Sequence, residues 1–203
     1  MENRRRLELI RKLRDEQTIE NIDHIVHVTQ IHKQQQQAKR WSKLGFMEHC
    51  RVQTTKYPAL HIAFAKTSFS KNSSIKMMGL SVSKFQSSPI NEFIRRYGEG
   101  VQHWAYSLNP DLSIKDIYEY LQENDWDFLT PILTYEDQQH AQLHQFYTKP
   151  FSAYGQFIEF IQRPYSPQGD RFNNFGTANI EDFYEYYADY SKYLEKQKHL
   201  THY

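Results

Sequence analysis

Two histidines and one glutamate carry the chemistry that this sequence can offer. His24 stands near the start of Ile22–Thr29, a strand-like run, and His103 near the start of a second one, Val101–Leu108. Glu159 lies in Gly155–Pro164, Gly-Gln-Phe-Ile-Glu-Phe-Ile-Gln-Arg-Pro, where aromatic and β-branched residues dominate and Gly and Pro punctuate the ends. Alternation puts Phe157, Glu159 and Ile161 on one face, so a carboxylate interrupts an apolar strip, where an unpaired charge is costly. One reading is a salt-bridged or strand-end glutamate. The other is a metal site: two imidazoles and one carboxylate on one side of a metal leave positions open, which suits non-haem Fe(II) oxygen chemistry. With ten histidines in the chain, spacing alone selects no pair.

The surrounding elements decide whether these residues can meet. Residues 2–20 have Leu7, Ile10 and Leu13 at helical spacing. In Ile22–Thr29, alternation places His24, Val26 and Val28 on one face and Asp23, Ile25 and His27 on the other. Gln34–Leu44 predicts a helix stopped by Gly45, and three strands are expected at Phe46–Gln53, Ala59–Lys66 and Ser74–Val82. Ser88–Tyr97 has the signature of a capped helix, with Ser88 as N-cap and Pro89 in the first turn. The order then restarts: a strand at Val101–Leu108, a helix at Ser113–Asn124 with Ser113 as its cap, and strands at Asp127–Thr130, Ala141–Thr148 and Gly155–Gln162. Asn179–Lys198 predicts a closing helix with an aromatic face.

The expected fold is therefore α+β, two β-α-β-β-β modules that can join in one open sheet able to enclose a metal. Its divisions are a helical segment (1–20), a first module (21–87), a linker helix with the second module (88–165), and a C-terminal loop with the closing helix (166–203). If the modules pack as a pseudo-twofold pair, His24, His103 and Glu159 converge.

Composition excludes several classes. The formal charge is +1 over 203 residues, so no global field favours nucleic acid or membrane. No run approaches the roughly 20 apolar residues of a membrane span, and mean hydropathy is −0.81. Cys50 is the only cysteine, which excludes an internal disulfide and suits a cytoplasmic setting; a half-buried strand thiol is expected there rather than a nucleophile. His27, His32, His49, His61, His140, His144, His199 and His202 read as surface or core residues.

Several stretches resemble the C-terminal, iron-carrying half of 4-hydroxyphenylpyruvate dioxygenase, within the vicinal-oxygen-chelate superfamily. They are Ile22-Asp23-His24-Ile25-Val26, Trp41 with Leu44-Gly45-Phe46, Gly100-Val101-Gln102-His103, Gln145-Phe146-Tyr147-Thr148-Lys149-Pro150, Phe157–Arg163 and Asn174–Asn179. They follow the family's order. The resemblance implies that His24, His103 and Glu159 are ligands of Fe(II), and that Gln102, Gln145, Phe157, Phe175 and Asn179 line or gate a substrate pocket. Tyr147 stands where the family has a substrate-facing phenylalanine. It further implies an aromatic or other bulky 2-oxo acid and dioxygen as reactants, with oxidative decarboxylation and hydroxylation as the outcome.

This sequence also departs from the family. Met78-Gly79-Leu80-Ser81 stands in place of Pro-Ile-Asn-Glu, Pro89 in place of a glutamine, Ile180 in place of a phenylalanine, and a serine is replaced near Ile62. Contacts that would read a distal hydroxyl are thus reduced, which leaves a different substrate open. The family's N-terminal half has no counterpart in the sequence, and a homodimer interface is expected on the face it would cover. Two rival readings keep the fold: another metal-dependent enzyme of the superfamily (isomerase, lyase or ring-cleaving oxygenase), and a non-catalytic ligand-binding module.

Overall fold

The computed structural model describes residues 2–66, 75–138, 140–166, 169 and 177–200. Helix α1 (Glu2–Asp15) leads into β1 (Ile19–Val28), α2 (Gln34–Ser42), β2 (Phe46–Thr54), β3 (Ala59–Lys66) and β4 (Ile75–Val82). Helix α3 (Pro89–Tyr97) connects to β5 (Gly100–Leu108), α4 (Ile114–Glu123), β6 (Leu133–Glu136), β7 (Gln142–Tyr147), β8 (Phe157–Gln162) and α5 (Thr177–Leu200). The β-α-β-β-β order occurs twice, as the sequence predicts. Both caps form as well: the Ser88 and Ser113 side chains accept hydrogen bonds from the Asn91 and Asp116 amides.

All eight strands join one strongly curled mixed sheet in the order β2-β3-β4-β1-β5-β8-β7-β6. The same strand order runs outward in each half from a central antiparallel seam of β1 with β5. Outside the seam, β1 pairs parallel with β4, and β5 pairs parallel with β8.

Hydrophobic packing covers the convex face of each half separately. On the first half, Trp41 of α2 packs edge-on against Phe64, with ring centroids 5.2 Å apart, over Ile62, Leu80 and Val82. On the second half, Ile10 and Leu13 of α1 and Ile117 and Leu121 of α4 bury Phe146, Ile158 and Phe160. β8 is buried on both faces, which is why its apolar residues run almost unbroken.

Helix α5 closes the concave side through Phe183, Tyr184 and Tyr187. It is tied to both halves. The Glu181 carboxylate accepts hydrogen bonds from the Thr55 and Lys56 amides in the β2–β3 turn, and Tyr135 of β6 donates to Asp182. Among the described residues no helix is long and apolar enough to cross a membrane.

Three expectations are corrected. The first helix stops at Asp15 rather than continuing to residue 20, because Gln17 takes a positive φ of 60° and turns the chain. β1 consequently starts at Ile19, and His24 lies inside the strand rather than near its beginning. The run at Asp127–Thr130 is not a strand; it makes one isolated bridge, Phe128 to Thr148, and β6 follows at Leu133–Glu136. Pro131, which has no amide hydrogen to donate, separates the two.

Gly155 turns the chain into β8 at a φ of 69°, and a Cβ there would come within 2.3 Å of the Tyr97 ring. Replacement by Ala combines left-handed backbone strain with a clash. Gly155→Ala should destabilise the fold by about 2 kcal/mol or more, lowering Tm by at least about 4 °C in thermal unfolding.

Candidate metal centre

The register of the sheet explains how three residues so far apart in sequence come together. Across the concave face one row of paired positions reads Met77, His24, Ala105, Glu159, Tyr147. The adjacent row reads Cys50, Ala63, Gly79, Val26, His103, Phe157. His24 and Glu159 flank the small, fully buried Ala105, so they can reach over its methyl group, and His103 enters from the next row. Nε2 of His24 lies 3.2 Å, and Nε2 of His103 3.4 Å, from the same Glu159 oxygen. One donor atom from each residue can be chosen so that all three lie within 4.8 Å of one another. All three side chains are buried.

Two β-bulges orient the imidazoles. Against β5, the register of β1 shifts between Ile22 and His24, so Asp23 is an extra residue; against β1, β5 has Gln102 as an extra residue before His103. The bulge brings Asp23 alongside His24, whose Nδ1–H donates to Asp23 Oδ1 at 2.8 Å. That overturns the flat alternation read from sequence, which put Asp23 on the opposite face. Arg163, at the end of β8, donates to both Asp23 oxygens. Gln102 takes the same position beside His103, with its Oε1 3.3 Å from Nδ1. In both cases the partner at Nδ1 leaves the Nε2 lone pair directed to the centre.

The electrostatics follow from the burial of one carboxylate beside two imidazoles. Burial opposes ionisation of Glu159, but the charge of His24 and the hydrogen bonds from both histidines outweigh it and hold its pKa down to about 2. Burial likewise opposes a charge on His24, and Glu159 with Asp23 overcomes it, raising His24 to about 9. Burial holds His103 below the ordinary histidine value. Without a metal, a proton on His24 balances the carboxylate. A divalent cation is the natural replacement, and the donor set fits one: two nitrogens, each with a second partner at Nδ1, and one carboxylate.

Tyr147 borders the centre. Burial and the nearby Glu159 carboxylate raise its hydroxyl well above the usual tyrosine value. Phe157 stacks on His103 with ring centroids 5.0 Å apart, which fixes the ring plane.

The three residues open onto a cavity of roughly 70 Å³ between the sheet and α5, also lined by Val26, Cys50, His61, Ala63, Gly79, Asn179, Ile180 and Tyr184. Of the residues expected to contact substrate, Tyr147 and Asn179 line it. Gln102, Gln145 and Phe157 are buried behind its wall, and Phe175 lies outside the described residues. Ile62 and Leu80 border the cavity, yet both join the Trp41 core on the convex side. The side chains aligned on the concave face at these strands belong to His61, Ala63, Gly79 and Ser81.

Sequence reasoning missed His61, whose place opposite Ser81 depends on register. It also missed the pairing of Asp23 with His24 and Arg163, which depends on a bulge. Adjacency of an acid to His24 was the one signal available.

The architecture is that of the vicinal-oxygen-chelate fold. No protein-family model matches the chain, and no curated protein matches it in sequence. Among solved structures, it is similar to a mutant of 4-hydroxymandelate synthase from Streptomyces coelicolor, with a TM-score of 0.66 and 19% identity over 81% of this chain and 53% of that one. The chain thus spans about half the length of that relative. It is also similar to hydroxyglutarate synthase from Oryza sativa, solved with 2-oxoadipate, with a TM-score of 0.67 and 13% identity over 92% of this chain and 87% of that one. Methylmalonyl-CoA epimerase from Mycobacterium tuberculosis aligns with a TM-score of 0.53 and 15% identity over 74% of this chain and 91% of that one.

Two tests follow from this geometry. His24→Ala, His103→Ala and Glu159→Ala should each abolish stoichiometric Fe(II) uptake in anaerobic titration, while Asp23→Asn should weaken it about 10–100-fold. Ala105→Leu should abolish uptake too, because the added side chain fills the space in which His24 and Glu159 meet. Metal at about 100 times its Kd should stabilise the wild type by about 2.7 kcal/mol, and that gain should vanish in Glu159→Gln, as read by thermal unfolding.

Proposed function

We propose that the protein is a non-haem Fe(II)-dependent dioxygenase that oxidatively decarboxylates a 2-oxo acid and hydroxylates the product. The observation that carries this reading is the convergence of His24, His103 and Glu159 on a cavity between the sheet and α5. The similarity to 4-hydroxymandelate synthase and to a hydroxyglutarate synthase solved with a 2-oxo acid supports it. Bound iron would supply open positions for a chelating substrate and for dioxygen.

The protein's own residues supply geometry, neutralisation and dryness. Asp23 and Arg163 hold His24, Gln102 and Phe157 hold His103, and Tyr147 lies beside Glu159 on the next strand. The two histidines and Glu159 would together leave a net single positive charge on a divalent site. A 2-oxo acid anion cancels that charge, so substrate entry completes neutrality inside a low-dielectric pocket. Phe183, Tyr184 and Ile180 of α5 cover the cavity and exclude water. Asn179, at the opening of α5, presents an amide whose oxygen is buried without a hydrogen-bond partner, a polar group left for a ligand.

The epimerase neighbour favours a second reading, a metal-dependent isomerase or lyase on the same residues. Anaerobic, Fe(II)-loaded protein mixed with a 2-oxo acid should give a visible charge-transfer band and then consume oxygen with release of carbon dioxide. Turnover with Ni or Zn and no oxygen uptake would replace the dioxygenase by the isomerase reading.

A further inference from the structure

The cavity wall beyond the metal-facing residues comes mainly from the first half of the sheet. Cys50, Ala63, Gly79 and Val26 lie side by side on four neighbouring strands, and Val52 and Ile180 complete the surface. Every one of these side chains is small or apolar. No Lys or Arg occurs among the described residues that line the cavity, and the only carboxylate there is Glu159 itself. Among the described residues a second carboxylate on a ligand would find no counter-charge in this lining, which is strongly unfavourable for a buried group.

His61 is the remaining basic side chain on this wall. Its Nδ1 is 2.8 Å from Ser81 Oγ and its Nε2 is 3.4 Å from Thr54 Oγ1. The Thr54 hydroxyl donates to the Tyr57 carbonyl, so it accepts from His61 Nε2–H, and Nδ1 accepts from Ser81. Both ring nitrogens are occupied within the wall. Burial, with His103 nearby, holds the pKa of His61 down to about 4, so the ring is neutral. It therefore offers a substrate neither a cation nor an unused hydrogen bond.

Size narrows the ligand further. A cavity of roughly 70 Å³ is small beside the roughly 300–1,000 Å³ of a drug-sized site, which favours a compact side chain over a hydroxyphenyl group on the chelating head. Gly79 preserves that space: a Cβ at this position would meet Val26 Cγ2 at 2.9 Å and push it toward the cavity.

We propose that this cavity selects a 2-oxo acid with a short, uncharged hydrocarbon side chain, and that Ala63 and Gly79 set the length it accepts. The proposal rests on the 2-oxo acid reading above. It narrows the aromatic or other bulky side chain expected from sequence. It also separates this chain from the neighbour solved with the dicarboxylate 2-oxoadipate.

The test is anaerobic calorimetric and visible-absorption titration of Fe(II)-loaded protein with 4-methyl-2-oxopentanoate, 2-oxobutanoate, 2-oxoadipate and 4-hydroxyphenylpyruvate. The 4-methyl-2-oxopentanoate anion should bind at least tenfold more tightly than 2-oxoadipate or 4-hydroxyphenylpyruvate. Equal or tighter binding of either of those two overturns the side-chain assignment and leaves the 2-oxo acid reading standing. Failure of all four acids to bind protein that retains its iron overturns both. In Ala63→Leu, affinity for 4-methyl-2-oxopentanoate should fall at least tenfold more than affinity for 2-oxobutanoate. An equal loss for both, or none, overturns the role given to Ala63.

Discussion

A single buried carboxylate governs this structure. Glu159 is 1% exposed in the middle of a strand whose other residues are all buried too, and an ionised group in that place must be neutralised or the strand cannot form. The neutralising groups come from two other strands, β1 and β5. The sheet order that places β8 beside β5, and β5 beside β1, is therefore also the order that brings counter-charge to Glu159. Folding and ligand assembly are the same event. The tension that the carboxylate introduces is resolved by His24 in the metal-free protein and is available to a cation.

The two histidines are held by parallel devices with different chemistry. Each follows a bulged residue, and each bulged residue turns its side chain onto the imidazole Nδ1. On β1 that residue is Asp23, backed by Arg163; on β5 it is the neutral Gln102. An anionic partner makes His24 the stronger electron donor of the pair. The halves of the sheet are just as unequal in what they pack around the centre. The second half and α5 supply aromatic rings that clamp His103, whereas the first half supplies small side chains that leave room.

Much of this was legible in the sequence. The repeated element order and both helix caps follow from periodicity and capping residues, and the resemblance carried by the flanking motifs implied the meeting of His24, His103 and Glu159. What was not legible depends on register. Strand alternation separates Asp23 from His24, and only the one-residue slip against β5 reunites them. The same sensitivity gives Leu80 and Ile62 a double place: both border the cavity as expected, yet both also pack in the Trp41 core, and the concave face at these strands belongs to Gly79, Ser81, His61 and Ala63. A one-residue difference on a strand reverses the face, and motif matching does not resolve it. The short β6 was missed because Leu-Thr-Tyr-Glu is only half-buried and carries little apolar signal.

Helix α5 spans the open side of the curled sheet and is bonded at both ends of the arc, to the β2–β3 turn through Glu181 and to β6 through Asp182. A curved sheet bends most easily by changing its curvature, and here two consecutive residues on one helical turn, Glu181 and Asp182, clasp the two rims together. Loosening that clasp alters the radius of the curve, and with it the space at the centre. Residues on the rims, remote from His24, His103 and Glu159 along the sheet, are in this way mechanically connected to the room available for a ligand.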